Sequence, residues 1–522
     1  MRKFILAVVF MLFFGSLFAA KFKIESVTYD IEGCGHWIFG KTQEFALANE
    51  VPVDTKTYFN DEEVFNKYLD DLETRLSNLR AFETILLSYE VFYTDSQTTD
   101  EEIDFVKLNI YVKDSFHLFA IPGPKYSSNS GLTLKLKIKD SNFLGGLNTL
   151  NSDIFFVIPT NESDSSETQF GFNCSADLPF KAGIFNAVWL NDLGLSFTLG
   201  DSMPEWQIGT GVRFTLPFEH ISLVFEVNQR FENKNDYKVF KDNMFFTNDF
   251  KLSSPVTLGT INYFGKLTWT PYAVTYVYWD FDGISNYNDS LASPVSTFGH
   301  RFSFGRTDWD QNLRTGFTLS LDNYYTYNFK LKKLDPVVQL DTTAYKKIDI
   351  IPDSYILPDM GIAVNAVTFT YLFNPKSKDN IYSYGKGIGG YLRGIRDTQE
   401  YVGTKYSSLS PTTAFILNLD FPIHLFRTNF KKAFLNFDLQ ASPFIDIALC
   451  NNKITNTLFD PKDGFYAAGL EFLVYPLKWS GITIRGSIGI DVGRKFLSNY
   501  LNMDWRENVS KKEFLIGFGL QY

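Results

Sequence analysis

From about residue 117 to its end, the chain alternates apolar and polar positions with a period of two. Leu132, Leu134, Leu136 and Ile138 alternate with Thr133, Lys135, Lys137 and Lys139. Phe415, Leu417, Leu419 and Phe421 alternate with Ile416, Asn418 and Asp420, and Ile482, Ile484, Ile488 and Ile490 with Thr483, Arg485, Ser487 and Asp491. A period of two is a strand whose two faces meet different surroundings. Lys, Asp and Arg on one face and aliphatics on the other, through so many segments, fit a β-barrel with lipid outside and a polar lumen better than a soluble sandwich. Read back by twos from the end, Tyr522, Leu520, Phe518, Ile516 and Phe514 are all apolar or aromatic. A closing strand needs such a lipid-compatible face along its whole length.

Ahead of this region the texture differs. Met1–Lys3 is a positive start, Phe4–Phe14 an unbroken apolar run, and small residues precede Lys21. That order predicts a secretory signal over residues 1–20, too short to span a bilayer comfortably. Residues 21–115 read as a small α+β unit. Ile24, Val27, Tyr29 and Ile31 predict a strand, and a first helix lies near Thr42–Ala48. A second helix has Asn60 at its cap, Glu63 at the box position and Phe65, Leu69, Leu72, Leu76 and Leu79 at helical spacing. Two strands, about 85–93 and 105–112, complete a β-α-α-β-β order. The expected organisation is therefore signal (1–20), periplasmic α+β domain (21–115) and a transmembrane antiparallel barrel of about 16 strands (116–522), a mainly β protein.

Composition sharpens this picture. Phe 53 and Tyr 28 contribute to an aromatic content of 17%, yet the mean hydropathy is only −0.11. A barrel combines the two, whereas a multi-helix membrane protein would show helix-length apolar runs, and none follows the signal. The net charge of −10 argues against a nucleic-acid partner. Cys34, Cys174 and Cys450 are far apart, and His36, His117, His220, His300 and His424 are scattered, so neither a disulfide framework nor a metal site is expected. Gly385–Gly390 fits G-x-G-x-x-G in form but lacks a β-α-β context. No Gly-x-Ser-x-Gly elbow is present, and the expectation is a protein without enzyme activity or cofactor. Loop lengths sort by side. After a long segment at 374–410, five strand candidates lead to the terminus, so the long connections 450–462 and 494–512 fall outside and the short ones, near 427–432 and 477–480, in the periplasm.

The long segment holds Gly389-Gly390-Tyr391-Leu392-Arg393-Gly394-Ile395-Arg396. This resembles the loop signature of the outer-membrane assembly and translocation superfamily of BamA- and TamA-type proteins, the bacterial surface antigen family. Ile395 stands where that family has an aromatic. The resemblance implies that Arg393 folds back into the lumen and meets an Asp in a Phe-x-Asp-x-Gly motif on the strand after next. Phe444-Ile445-Asp446-Ile447-Ala448 stands there, with Ala448 in place of Gly and with Phe444 and Asp446 on the lumen phase. Asp140–Gly146 resembles the family's turn between second and third strands, and residues 21–115 resemble a POTRA domain.

The resemblance implies a factor that inserts or translocates other outer-membrane proteins. Its partners would be outer-membrane lipids, unfolded outer-membrane or secreted client proteins and periplasmic accessory proteins. The POTRA-like unit would accept client strands on its sheet edge, and the first and last barrel strands would part to template them. Gly389, Gly390, Leu392, Arg393, Gly394, Phe444 and Asp446 form the expected loop–lumen motif. Phe514, Ile516, Phe518, Leu520 and Tyr522 form the expected C-terminal signal strand. A pore or surface-binding barrel without assembly activity is the alternative.

Overall fold

A computed structural model of the protein describes residues 21–34, 41–95, 103–127, 131–158, 168–201, 203–233, 244–261, 264–281, 283, 291–310, 312–348, 359–372, 386–395, 411–430, 436–452, 455–477, 483–503 and 512–518. The expected signal segment, Arg396, Leu520 and Tyr522 lie outside these residues.

The described residues fold as two units, one of those up to His117 with Asn142–Leu147, the other of the remainder. In the first, the order is β1 (Lys21–Glu32), α1 (Glu44–Glu50), α2 (Glu62–Asn78), β2 (Phe82–Asp95) and β3 (Ile103–Asp114). Strand β3 is central, parallel to β1 and antiparallel to β2. The uneven spacing of Ile24 and Val27 is resolved by a register shift between Ile24 and Ser26, a bulge that returns later apolar residues to the core face. Ile24, Leu47, Phe65, Leu72, Val106 and Leu108 are buried together, and Phe22 stacks on Phe65 at 5.1 Å.

The cap of α2 is Asp61 and not Asn60: the extended Asp61 accepts from the Val64 amide at 2.7 Å. A carboxylate there satisfies an orphan amide and also complements the helix dipole, which a neutral Asn does less well. Within the same unit, buried Asp114 accepts from the Thr42 amide at 2.8 Å and hydroxyl at 2.6 Å, and Asn142 donates to that hydroxyl at 2.7 Å. Burial pushes the Asp114 carboxyl above its usual range, against the two Thr42 donors.

The second unit is one antiparallel sheet that closes on itself. Its first half is β4 (Leu118–Ser127), β5 (Gly131–Asp140), β6 (Leu150–Ile158), β7 (Gln169–Ala182), β8 (Phe185–Thr198), β9 (Glu205–Pro217), β10 (Ser222–Asn233), β11 (Met244–Ser253), β12 (Val256–Ile261) and β13 (Gly265–Trp279). The rest is β14 (Val295–Asp310), β15 (Leu313–Asn328), β16 (Lys333–Ile348), β17 (Met360–Tyr371), β18 (Thr413–Asp420), β19 (Ile423–Arg427), β20 (Phe437–Asn452), β21 (Thr457–Leu458), β22 (Phe465–Pro476), β23 (Ile484–Asp491) and β24 (Lys512–Phe518). A short helix, α3 (Val492–Phe496), follows β23. Terminal β24 neighbours β4.

Three of these 21 segments are not separate staves. β11 and β12 both pair with β13 and are split at Pro255, β18 and β19 both pair with β20 and are split at Pro422, and two-residue β21 extends the tip of β20. A proline has no amide hydrogen for the ladder, which accounts for both breaks. Eighteen staves remain among the described residues, one hairpin more than the sixteen expected. The two faces are hardest to tell apart in the middle of the chain, where β13 carries Tyr272, Tyr276 and Tyr278 on one face, Trp269 and Trp279 on the other, Thr on both, and Pro271 within the strand.

The two faces of the wall differ in chemistry. Leu134, Ile154, Phe170, Ile208, Leu223 and Leu252 point outward and are exposed. Inward, Arg213 pairs with Glu226 at 2.6 Å, Arg301 with Asp322 at 2.5 Å, and Asn228 donates to Glu226 and Asp249. Outward aromatics gather toward both rims. Trp206, Phe231, Phe246 and Trp279 run across four staves with centroids 4.4–4.7 Å apart, and Phe264, Phe304 and Phe317 meet near the other rim.

Candidate functional site in the barrel lumen

Residues 386–395, between β17 and β18, lie inside the barrel. Gly389–Tyr391 forms a single 3-10 turn, which turns Leu392 onto the lumen wall. Ile388, Leu392 and Ile395 are fully buried there against Phe369, Ile416, Ala448 and Phe465. Ile395 in place of an aromatic and Ala448 in place of a glycine both belong to this apolar seat.

Arg393 follows at once and is 1% exposed. Its guanidinium donates to Asp446 from Nε at 3.0 Å and Nη2 at 2.7 Å, and its own backbone amide donates to the same carboxylate at 2.8 Å. The opposite edge donates to Asp420 from Nη1 at 2.6 Å and Nη2 at 3.2 Å. Below, the guanidinium lies 3.8 Å from the centre of the Phe444 ring, a cation–π contact in a desolvated setting. Asn418 donates to both Asp446, at 2.8 Å, and the Tyr391 carbonyl, at 2.7 Å. A buried guanidinium is tolerable only when it is paired and hydrogen-bonded, and here each of its three nitrogens donates to a carboxylate.

Arg393, Phe444 and Asp446 are thus in contact, and Gly389, Gly390, Leu392 and Gly394 form the turn that delivers the arginine. Gly390 faces open space. In β24, Phe514 and Ile516 point outward and are exposed, while Glu513 and Leu515 are buried. Phe518 is the register partner of Ile484.

Sequence reasoning missed Asp420, Asn418, Gly469, Gly489 and Glu513. The first two sit on the polar phase of β18, which was visible. That Asp420 reaches the same guanidinium as Asp446 requires the cross-strand register, which no single segment carries.

A second connection also bends inward, from the opposite rim. The β14–β15 turn places Asn312 against β20, where it donates to Asp438 and its carbonyl accepts from Gln440 at 2.8 Å. Leu313 is buried, and Arg314 stacks 3.9 Å from the centre of the Tyr345 ring. Among the described residues no group of His, Cys, Asp or Glu is placed to hold a metal.

An apolar exposed exterior, a charged interior and a closed hydrogen-bonded wall define a barrel built to sit in a bilayer, with a lumen loop held by a buried arginine. No protein-family model and no curated protein matches the chain. Among solved structures it is similar to CdiB from Acinetobacter baumannii, with 12% identity over 95% of this chain and 74% of that one and a TM-score of 0.47. CdiB from Escherichia coli is 9% identical over 96% of this chain and 77% of its own, also at 0.47. BamA from Haemophilus ducreyi lacking POTRA domains 1-3 is 12% identical over 95% and 85%, with a TM-score of 0.36.

Proposed function

We propose that the protein is an outer-membrane assembly or translocation factor of the BamA or TamA type, with its N-terminal unit as a periplasmic POTRA-like module. The observation that carries this reading is the loop seated in the lumen by Arg393 on Asp446 and Asp420. A diffusion pore gains nothing from a buried charge cluster inside its own channel, whereas a barrel whose wall must rearrange can use a bistable internal clamp. The β14–β15 turn also contacts β20 from inside, at the other rim.

The work would be done by main-chain pairing and not by side-chain catalysis, with no cofactor. Strand β2 is a sheet edge, and it exposes Leu86, Val91 and Phe92. An edge of that kind accepts an extended client segment through backbone hydrogen bonds, which tolerate many sequences. The barrel seam β4–β24 would then receive the client strand.

Two measurements test this. Reconstituted into liposomes, the protein should speed insertion of an unfolded barrel client. In planar bilayers it should show mostly closed traces, and steady open channels without insertion activity would favour the pore. The orientation is checked separately: epitope tags in 450–462 or 494–512 should be reachable on intact cells, and tags in 21–115 should not. Surface labelling of the N-terminal unit would invert the topology.

A further inference from the structure

We propose that Glu513 is a positioning residue that pins the terminal strand to the seated loop, so that the loop must lift before β24 can leave the wall. This rests on the assembly-factor reading above and adds a mechanical link to it.

The link is a single cross-strand row on the lumen face. Asp420 of β18 pairs in register with Phe444 of β20, Phe444 with Gly469 of β22, Gly469 with Gly489 of β23, and Gly489 with Glu513 of β24. The row spans four strand steps, about 19 Å at roughly 4.8 Å per step. Its two ends are carboxylates, and its middle is an aromatic ring followed by two positions without side chains.

The loop tip lies along this row. The Arg393 guanidinium rests on Phe444 and reaches Asp420 at one end. At the other end the Gly394 amide donates to Glu513 Oε2 at 2.8 Å, in a buried bond. Between them the loop backbone rests directly on the wall. A Cβ on Gly489 would come within 2.7 Å of the Gly394 nitrogen, and a Cβ on Gly394 within 2.5 Å of the Ile490 nitrogen. Gly394 also has φ +93, where other residues are strained.

Two adjacent residues of one loop therefore grip β18, β20 and β24 together. Because β24 is also the strand beside β4, the charge clamp at Arg393 and the seam share one rigid connection. A carboxylate accepting a backbone amide in a buried site is a charge-assisted bond, stronger than a neutral one. Loop seating and retention of β24 become one equilibrium.

The test uses the full chain in liposomes, with spin labels on the outward positions Ala120 of β4 and Ile516 of β24, and, in a separate protein, a cysteine at the fully buried Ile388 to report loop exposure. Glu513→Leu removes the acceptor, and Glu513→Gln keeps an acceptor without the charge. The expected result is about a tenfold rise in the separated β4–β24 population and in Ile388 thiol labelling for Glu513→Leu, and about threefold for Glu513→Gln, with heat-modifiable barrel folding retained. If Glu513→Leu does not fold, the Glu513→Gln shift alone decides. Unchanged distances and labelling, in a protein that still inserts clients, would overturn the link and leave the assembly function standing. If no variant shows a separated seam and the parent inserts nothing, both the link and the function reading fall.

Discussion

Replacing Arg393 with alanine should destabilise the folded barrel by about 3–5 kcal/mol, more than any single carboxylate replacement around it. The ordering follows from the fork. Arg393→Ala leaves the Asp446 and Asp420 carboxylates facing one another, nearly dry, with the positive charge gone. Asp446→Ala leaves the guanidinium still paired with Asp420 and should cost less, and Asp420→Ala less again, since Asp446 also accepts the Arg393 backbone amide. The double variant Arg393→Ala/Asp446→Ala should fall short of the sum by at least about 1 kcal/mol, because the carboxylate lost in the second step is the one the first step had stranded. Urea unfolding of the barrel in lipid, followed by gel mobility, measures all four. Fully additive effects would mean that the two side chains do not interact in the folded protein.

Locking the seam should abolish client insertion while leaving the barrel folded. Ala120 of β4 and Phe514 and Ile516 of β24 all point outward, so cysteines at Ala120 and at one of the two terminal-strand positions lie on the same face of neighbouring strands. The strand β4 carries Pro122 and Pro124, neither with an amide hydrogen, and β24 carries Gly517 without a side chain. Strands of this composition pair less firmly than their neighbours, as edge strands do. A crosslink there removes a motion without removing a structural contact, so gel mobility should show a folded barrel. Insertion of an unfolded client should drop at least tenfold in the oxidised protein, far beyond the variation between reduced preparations, and return on reduction. Undiminished insertion by the crosslinked form would rule out strand exchange at the seam, whatever the barrel's other roles.

Much of the architecture was readable from residue order alone, because a barrel wall repeats one local rule. Each strand has one face in lipid and one in the lumen, so period two appears wherever the two faces differ in polarity, as in β5, β18 and β23. The small unit was readable for a similar reason: the apolar residues of α2 follow helical spacing on one face. The reading faltered where the rule is locally ambiguous. In β13 both faces carry Thr and large aromatics, Tyr on one and Trp on the other, so alternation of polarity does not mark the strand, and the count of staves over the whole wall came out a hairpin short. At the start of α2, the cap expected at Asn60 falls one residue later, because the extended backbone at Asp61 is what puts a side-chain oxygen on the Val64 amide.

The lumen site divides along the same line. Sequence determined that an arginine lies between glycines in a long connection and that an aspartate sits on the lumen phase of a later strand, since both are local facts of spacing. Only the tertiary structure decided that Asp420 completes the fork, that Gly469 and Gly489 form a flat bed, and that Glu513 closes the row. Those residues belong to four different strands, and their alignment depends on the stagger of each strand against the next. Register is set by the cooperative packing of the whole wall, and no window of the chain contains it.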